Sequence, residues 1–125
     1  MANVFLVALG GALGAVARFA VASVFNRKLG TAWPYGTLFI NISGCFLVAL
    51  FLTAASERYP AMHAGWRYFF PIGFVGAYTT FSTYEFETYR LAQVGQVPGT
   101  VAYVIASNVL GFAAVLLGAW VARRM

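Results

Sequence analysis

The sequence predicts an all-α membrane protein that forms a single transmembrane domain over residues 1–125. Of these residues, 62% are hydrophobic and only 9% are charged, whereas about a quarter of the residues in a soluble domain are charged. A chain this short has a large surface relative to its volume, and it would need many polar side chains to cover that surface in water. Lipid is therefore the expected solvent for most of the surface.

Four apolar stretches predict four transmembrane helices per subunit. They run over about residues 4–25, 35–55, 68–91 and 97–121, and each is long enough to cross a hydrocarbon core of about 30 Å. Polar or turn-forming segments separate them, and aromatic residues lie near their ends, where rings sit at headgroup depth. The first stretch is not expected to be a removable signal peptide, because it is too long, lacks a basic start and contains Arg18.

The remaining composition argues against several other classes of protein. The net charge is +5, but the basic residues are scattered singly or in pairs and form no face suited to nucleic acid. A single cysteine, Cys45, and a single histidine, His63, offer neither a disulfide nor a metal cluster. No base stands beside a nucleophile, so the sequence does not predict an enzyme.

The charges in the connections predict an unusual orientation. With four spans, both termini lie on one side of the membrane, and the charges divide almost equally between the two sides. One side would hold Arg58, Arg67, Arg123 and Arg124, and the other Arg27, Lys28 and Arg90. Such weak bias favours dual topology, with two opposite copies meeting as an antiparallel homodimer. The alternative is that one basic pair sets a single orientation.

Polar and small residues recur at helical spacing in the first two spans. Gly10, Gly14 and Arg18 share one face of the first, where glycines let a neighbouring helix approach closely. Arg18 could extend to the interface, anchor backbone carbonyls or attract anions. Asn41 in the second span cannot face lipid at low cost, so it either bonds a neighbouring helix or lines an ion path.

The third span contains the most informative stretch, residues 73–84, in which two glycines precede four hydroxyl residues set among aromatics. This composition predicts a helix that is broken near its middle, and irregular backbone at membrane depth is tolerated only inside protein or beside a cavity. Phe81 and Tyr84 would project from one face and could meet an anion with their electropositive ring edges. Alternatively, they are two core aromatics.

The fourth span carries Tyr103, Ser107 and Gly111 at intervals of four, so these residues share a face. The two hydroxyls, one turn apart, could pass an anion along. They could equally hydrogen-bond a neighbouring helix.

Three blocks of the sequence, at residues 10–18, 33–44 and 73–83, resemble the signature blocks of the CrcB/Fluc fluoride channels. The Tyr103, Ser107 and Gly111 pattern is also similar, so that the resemblance covers nearly the whole chain. It implies a passive, fluoride-selective anion channel in the inner (plasma) membrane that exports cytoplasmic fluoride. It also implies an antiparallel homodimer with two pores, which agrees with the weak charge bias.

The resemblance also assigns roles to individual positions. The fluoride pathway would comprise Asn41, Phe81, Ser82, Thr83, Tyr84, Tyr103 and Ser107. At position 84 this chain has tyrosine where the family usually has phenylalanine, which keeps the ring edge but adds a hydroxyl. Arg18 and Glu87 match vestibule positions. Gly76 and Thr79 match positions whose backbone carbonyls hold a structural sodium ion between the two subunits.

Two other functions are considered. A small dual-topology multidrug exporter also has four spans, but cation export of that kind needs a carboxylate in the first span, where this chain has only Arg18. A membrane assembly subunit without transport activity would have no need for the hydroxyl-rich stretch of the third span.

Overall fold

The computed structural model describes residues 1–125 and contains helices and short connections but no strands, which confirms the all-α prediction. The long helices are α1, α2, α5 and α6, whereas α3, α4 and two π-helical segments are short. Their bounds are α1 Ala2–Leu29, α2 Tyr35–Thr53, π-helix Ala54–Arg58, α3 Gly65–Arg67, π-helix Tyr68–Val75, α4 Gly76–Tyr78, α5 Phe81–Gln93 and α6 Val97–Arg124.

Three continuous helices are long and apolar enough to cross a membrane: Ala2–Leu29, Tyr35–Arg58 and Val97–Arg124. The predicted span at about 68–91 is not one helix. It consists of α3, a π-helix, α4 and α5 in succession, which we call the interrupted column (residues 65–93). α1 continues four residues past the predicted end at position 25, because Arg27 and Lys28 occupy its last turn, where basic groups complement the helix dipole.

The helices alternate in direction along the chain. At one end of the molecule, Arg123 at the end of α6 pairs with Glu57 at the end of the second helix, with Nε and Oε2 3.1 Å apart. At the other end, the Trp33 indole just before α2 donates to the carbonyl of Gly99 in the first turn of α6 at 3.2 Å. α2 and α6 therefore run parallel to each other, and theirs is the most extensive contact between any two of the α-helices.

α1 packs against the interrupted column at closely approaching backbones. A Cβ atom on Gly10 would overlap the carbonyl oxygen of Phe69, and one on Gly14 would overlap that of Phe74. This confirms the prediction that the two glycines serve helix packing. The π-helical segment they contact also contains Pro71, which has no N–H for the ordinary helical ladder.

The interrupted column stops being helical at two residues, Thr79 and Thr80. Thr79 has φ −79° and ψ 159°, and Thr80 has φ −151° and ψ 113°, so both are extended. The helix ends at Tyr78 and restarts at Phe81. The break thus lies inside the stretch, residues 73–84, where the composition predicts it.

Few residues are enclosed within one chain. Only 20 of 125 residues are buried, and large apolar side chains lie exposed along every long helix. An apolar surface of this extent suits lipid or another apolar protein surface, not water.

Candidate functional site

Asn41 on α2 hydrogen-bonds the backbone of Thr80, one of the two non-helical residues at the break in the interrupted column. Its Nδ2 donates to the Thr80 carbonyl at 3.1 Å, and its Oδ1 accepts from the Thr80 backbone N–H at 2.8 Å. Both backbone groups of this non-helical residue are therefore satisfied inside the protein, as an apolar environment demands. A side-chain amide carries two N–H donors, so one N–H of Asn41 remains for another partner.

Thr80 is the N-cap of α5. Its Oγ1 accepts from the Thr83 backbone N–H at 3.3 Å and donates to the Thr83 hydroxyl at 2.9 Å. Threonine is a favoured N-cap residue because its hydroxyl satisfies an amide that has no helical partner. Sequence reasoning did not include Thr80 among the site residues, although this N-cap preference was a signal that could have identified it.

The hydrogen bonds made by the Asn41 and Thr80 side chains leave two backbone carbonyls without their helical partners. In a continuous α-helix the N–H of a residue bonds the carbonyl four positions earlier, so Thr80 would serve Gly76 and Thr83 would serve Thr79. Here the Thr80 N–H goes to Asn41 and the Thr83 N–H goes to the Thr80 hydroxyl. Carbonyl oxygens of this kind suit a hard cation, so the residues present fit the sodium ligand set that the resemblance implies.

A cavity of about 420 Å³ lies on one side of the break, and we call it the break cavity. It brings together six predicted site residues with further polar, apolar and cysteine side chains. Its lining comprises Asn41, Gly44, Cys45, Val48, Pro71, Val75, Gly76, Thr79, Thr80, Phe81, Tyr84, Ser107 and Asn108. The Ser107 Oγ is buried and has no hydrogen-bond partner in the chain, which is unusual for a buried polar atom.

The two aromatic rings at the break differ in exposure. Phe81 is 74% exposed and Tyr84 only 8%, with their ring centroids 5.9 Å apart. Tyr84 also packs on Tyr103, at a centroid distance of 5.2 Å. Within one chain, Tyr84 is therefore a core aromatic, whereas Phe81 is not enclosed.

A second cavity, of about 350 Å³, lies on the other side of the break, and we call it the polar cavity. It contains the predicted residues Arg18, Thr83 and Glu87. Its full lining is Arg18, Ala22, Asn26, Pro34, Gly36, Thr37, Ile40, Thr80, Thr83 and Glu87. Thr80 is the one residue that lines both cavities, so the break forms the partition between them.

The charged groups of the polar cavity differ in how they are held. Glu87 accepts from the Thr37 hydroxyl at 3.0 Å with Oε1 and from the Tyr103 hydroxyl at 2.8 Å with Oε2. Arg18 is half-buried and forms no hydrogen bond or ion pair within the chain. Its guanidinium, with five donors, is thus available to an anion. Sequence analysis noted no role for Thr37, whose partner lies 50 positions away.

Two predicted pathway residues line neither cavity. Tyr103 is completely buried, and its hydroxyl is engaged by Glu87, so it does not share a cavity with Ser107 one turn later. Ser82 is exposed in the first turn of α5 and lines neither cavity.

Comparisons with known proteins give one consistent result. The model of the family described as CrcB-like protein, Camphor Resistance (CrcB), matches residues 5–119. A protein of Acidobacterium capsulatum named Fluoride-specific ion channel FluC is 50% identical, covering 95% of this chain and 94% of that relative. The protein of the same name from Solibacter usitatus is 42% identical, covering 95% of this chain and 97% of the relative. Another from Methylococcus capsulatus is 45% identical over 98% of this chain, which covers 54% of that longer relative.

Proposed function

This chain belongs to the CrcB-like family, and from that premise we propose that it is a fluoride-selective channel that exports cytoplasmic fluoride passively. The observation that carries the proposal is 50% identity, over nearly the full length of both chains, to a protein named a fluoride-specific ion channel. The activity is ion conduction and not catalysis. The matches do not favour the two alternatives, a small multidrug exporter or an assembly subunit without transport activity.

Passive export needs no energy source beyond the membrane potential. Fluoride enters a cell as neutral HF, ionises at cytoplasmic pH and is trapped as the anion. A potential that is negative inside favours the exit of one anion by about 2.3 kcal/mol per 100 mV. A selective pore in the inner (plasma) membrane would therefore lower cytoplasmic fluoride and give fluoride resistance.

The proposed route begins in the polar cavity. The guanidinium of Arg18, free of partners within the chain, attracts the anion there. The Glu87 carboxylate is already occupied by two hydroxyl donors, which spread its negative charge. Thr83 lines this cavity, and Ser82 lies beside it in the chain, so both place hydroxyls at the start of α5.

The route then crosses the partition at Thr80 into the break cavity. The spare N–H of Asn41 donates to the ion, and the ring edges of Phe81 and Tyr84 carry partial positive charge toward it. The buried, unpartnered hydroxyl of Ser107 supplies a further donor. Tyr103 takes part indirectly, because its hydroxyl holds Glu87 in place.

Fluoride selectivity follows from donor chemistry and width together. Amide and hydroxyl donors replace the water that a small, strong acceptor sheds, as coordinating groups do in other selectivity filters. Chloride is larger and accepts hydrogen bonds more weakly, so the same donors stabilise chloride less than they stabilise fluoride.

The functional unit we propose is an antiparallel homodimer in which each subunit has four transmembrane helices, the interrupted column being one of them. Two features support a second copy: Phe81 is 74% exposed beside the break cavity, and that cavity is lined by Gly76 and Thr79, the residues that carry the two free carbonyls. A sodium ion would bind between the subunits. Gly76 and Thr79 of two copies would supply four carbonyl oxygens, a donor set suited to a hard cation.

The test is anion flux from liposomes that contain the purified protein. We expect a fluoride efflux that is electrogenic, so that it starts only when valinomycin lets potassium compensate the charge. Chloride efflux under the same gradient should be lower by orders of magnitude. Protein-free liposomes are the control, and equal fluoride and chloride rates, or no fluoride efflux at all, would reject the proposal.

A further inference from the structure

We propose that Asn41 and Thr80 act as positioning residues, whose side chains keep the Gly76 and Thr79 carbonyls free for a cation by taking the amides that would otherwise occupy them. This inference rests on the sodium site proposed above. It gives Asn41 a role that does not depend on the permeating ion.

The first carbonyl is kept free by Asn41. The Thr80 N–H could bond either of two acceptors: the Gly76 carbonyl, if the helix were continuous, or the side chain of Asn41. It takes Asn41, with N and Oδ1 2.8 Å apart. The return bond from Nδ2 to the Thr80 carbonyl, at 3.1 Å, fixes the extended conformation in which the Gly76 carbonyl is out of reach.

The second carbonyl is kept free by Thr80 itself. The Thr83 N–H would serve the Thr79 carbonyl in a continuous helix, but it bonds the Thr80 hydroxyl at 3.3 Å. The same hydroxyl donates to the Thr83 side chain at 2.9 Å, which fixes its rotamer. Thr80 is only 8% exposed, so water does not compete readily for this cap.

The Thr79 side chain, next to one of the free carbonyls, is itself held in place. A Cβ atom on Gly44 of α2 would overlap the Thr79 methyl group, so the Thr79 side chain packs closely on that helix. Its hydroxyl donates to the Val75 carbonyl at 3.0 Å. Gly76 and Thr79 both line the break cavity, which lies on the face that the proposed second copy would cover. The orientation of the proposed cation ligands is thus set by the side chains of Asn41 on α2 and of Thr80, neither of which belongs to the proposed ligand set.

The experiment measures sodium binding through protein stability, with no fluoride present. Purified wild-type protein is melted in sodium chloride and in N-methylglucamine chloride at equal ionic strength, since a ligand that binds only the folded state raises the melting temperature with concentration. Thr80→Val keeps the side-chain shape but loses the cap, so the Thr83 N–H can return to the Thr79 carbonyl. Thr80→Ser is the matched control, because it retains the hydroxyl.

We expect Thr80→Val to weaken the apparent sodium affinity by about tenfold, which corresponds to about 1.4 kcal/mol, while Thr80→Ser stays within about twofold of wild type. Asn41→Leu, which releases the Thr80 N–H, should weaken it similarly and serves if Thr80→Val does not fold. Three results would overturn the inference. The first is a sodium response like that of wild type in both Thr80→Val and Asn41→Leu, and the second is an equal loss of affinity in Thr80→Val and Thr80→Ser. The third is the absence of a sodium response in the wild type. Fluoride flux through the wild type is measured separately, and it tests the proposed channel function independently of the sodium result.

Discussion

Replacing Gly14 by alanine should displace the interrupted column, because there is no room for a methyl group. A Cβ atom at this position would overlap the Phe74 carbonyl oxygen and lie 2.9 Å from its carbonyl carbon. Both atoms are backbone, which cannot move aside as a side-chain end can. Gly11, three residues earlier on α1, is the matched control, since its Cβ would meet nothing closer than 3.9 Å.

The comparison separates steric cost from helix propensity. Both variants replace a mid-helix glycine by alanine and so gain the same propensity, about 1 kcal/mol. Overpacking of a close contact costs roughly 1–3 kcal/mol, so Gly14→Ala should be less stable than Gly11→Ala by about that amount. Reversible unfolding of the two variants in the same detergent measures the difference. Equal stabilities would refute the close backbone packing of α1 on the interrupted column.

Two further predictions concern side chains at the site. Tyr103→Phe removes a completely buried hydroxyl that donates to the Glu87 carboxylate, so it should lower the free energy of unfolding by about 1.5–3 kcal/mol. Tyr89→Phe changes a 59% exposed residue and should have almost no effect in the same unfolding assay. Equal losses in the two variants would contradict the buried hydrogen bond. Phe81→Ile removes the ring edge beside the break cavity, so it should slow fluoride efflux while the oligomer stays intact on size exclusion. Phe86→Ile is the control, because it alters an exposed ring that lines neither cavity, and its efflux should be normal. Unchanged efflux in Phe81→Ile would remove that ring from the pathway.

The sequence predicted the helical class and the position of the break to within a short stretch, for physical reasons that act locally. Apolar runs of about 20 residues have few soluble alternatives, and the spacing of Gly10 and Gly14 marks one helix face whatever its partner is. The hydroxyl-rich stretch after Gly76 similarly favours interruption over a continuous membrane helix.

The parts that could not be predicted depend on contacts between distant residues. That the break falls at Thr79 and Thr80 is decided by Asn41, which lies 39 positions from Thr80 in the chain. Spacing by four placed Tyr103 and Ser107 on one face, yet Glu87 takes the Tyr103 hydroxyl. The apolar stretch ends before the helix does: α1 continues through the polar residues Asn26, Arg27 and Lys28 to Leu29 and stops at Gly30, whose φ of 76° suits a glycine at a helix end.

The parallel contact between α2 and α6 has a consequence for biosynthesis. The most extensive packing of the second helix is with the last one to leave the ribosome, and the two are joined at their ends by Trp33 with Gly99 and by Glu57 with Arg123. Contacts this distant in sequence form late, after a large loop has closed. Until α6 has been made, α2 therefore lacks its largest helix contact and packs only on α1 and the interrupted column, and cellular proteases can act on the incompletely packed chain during this period.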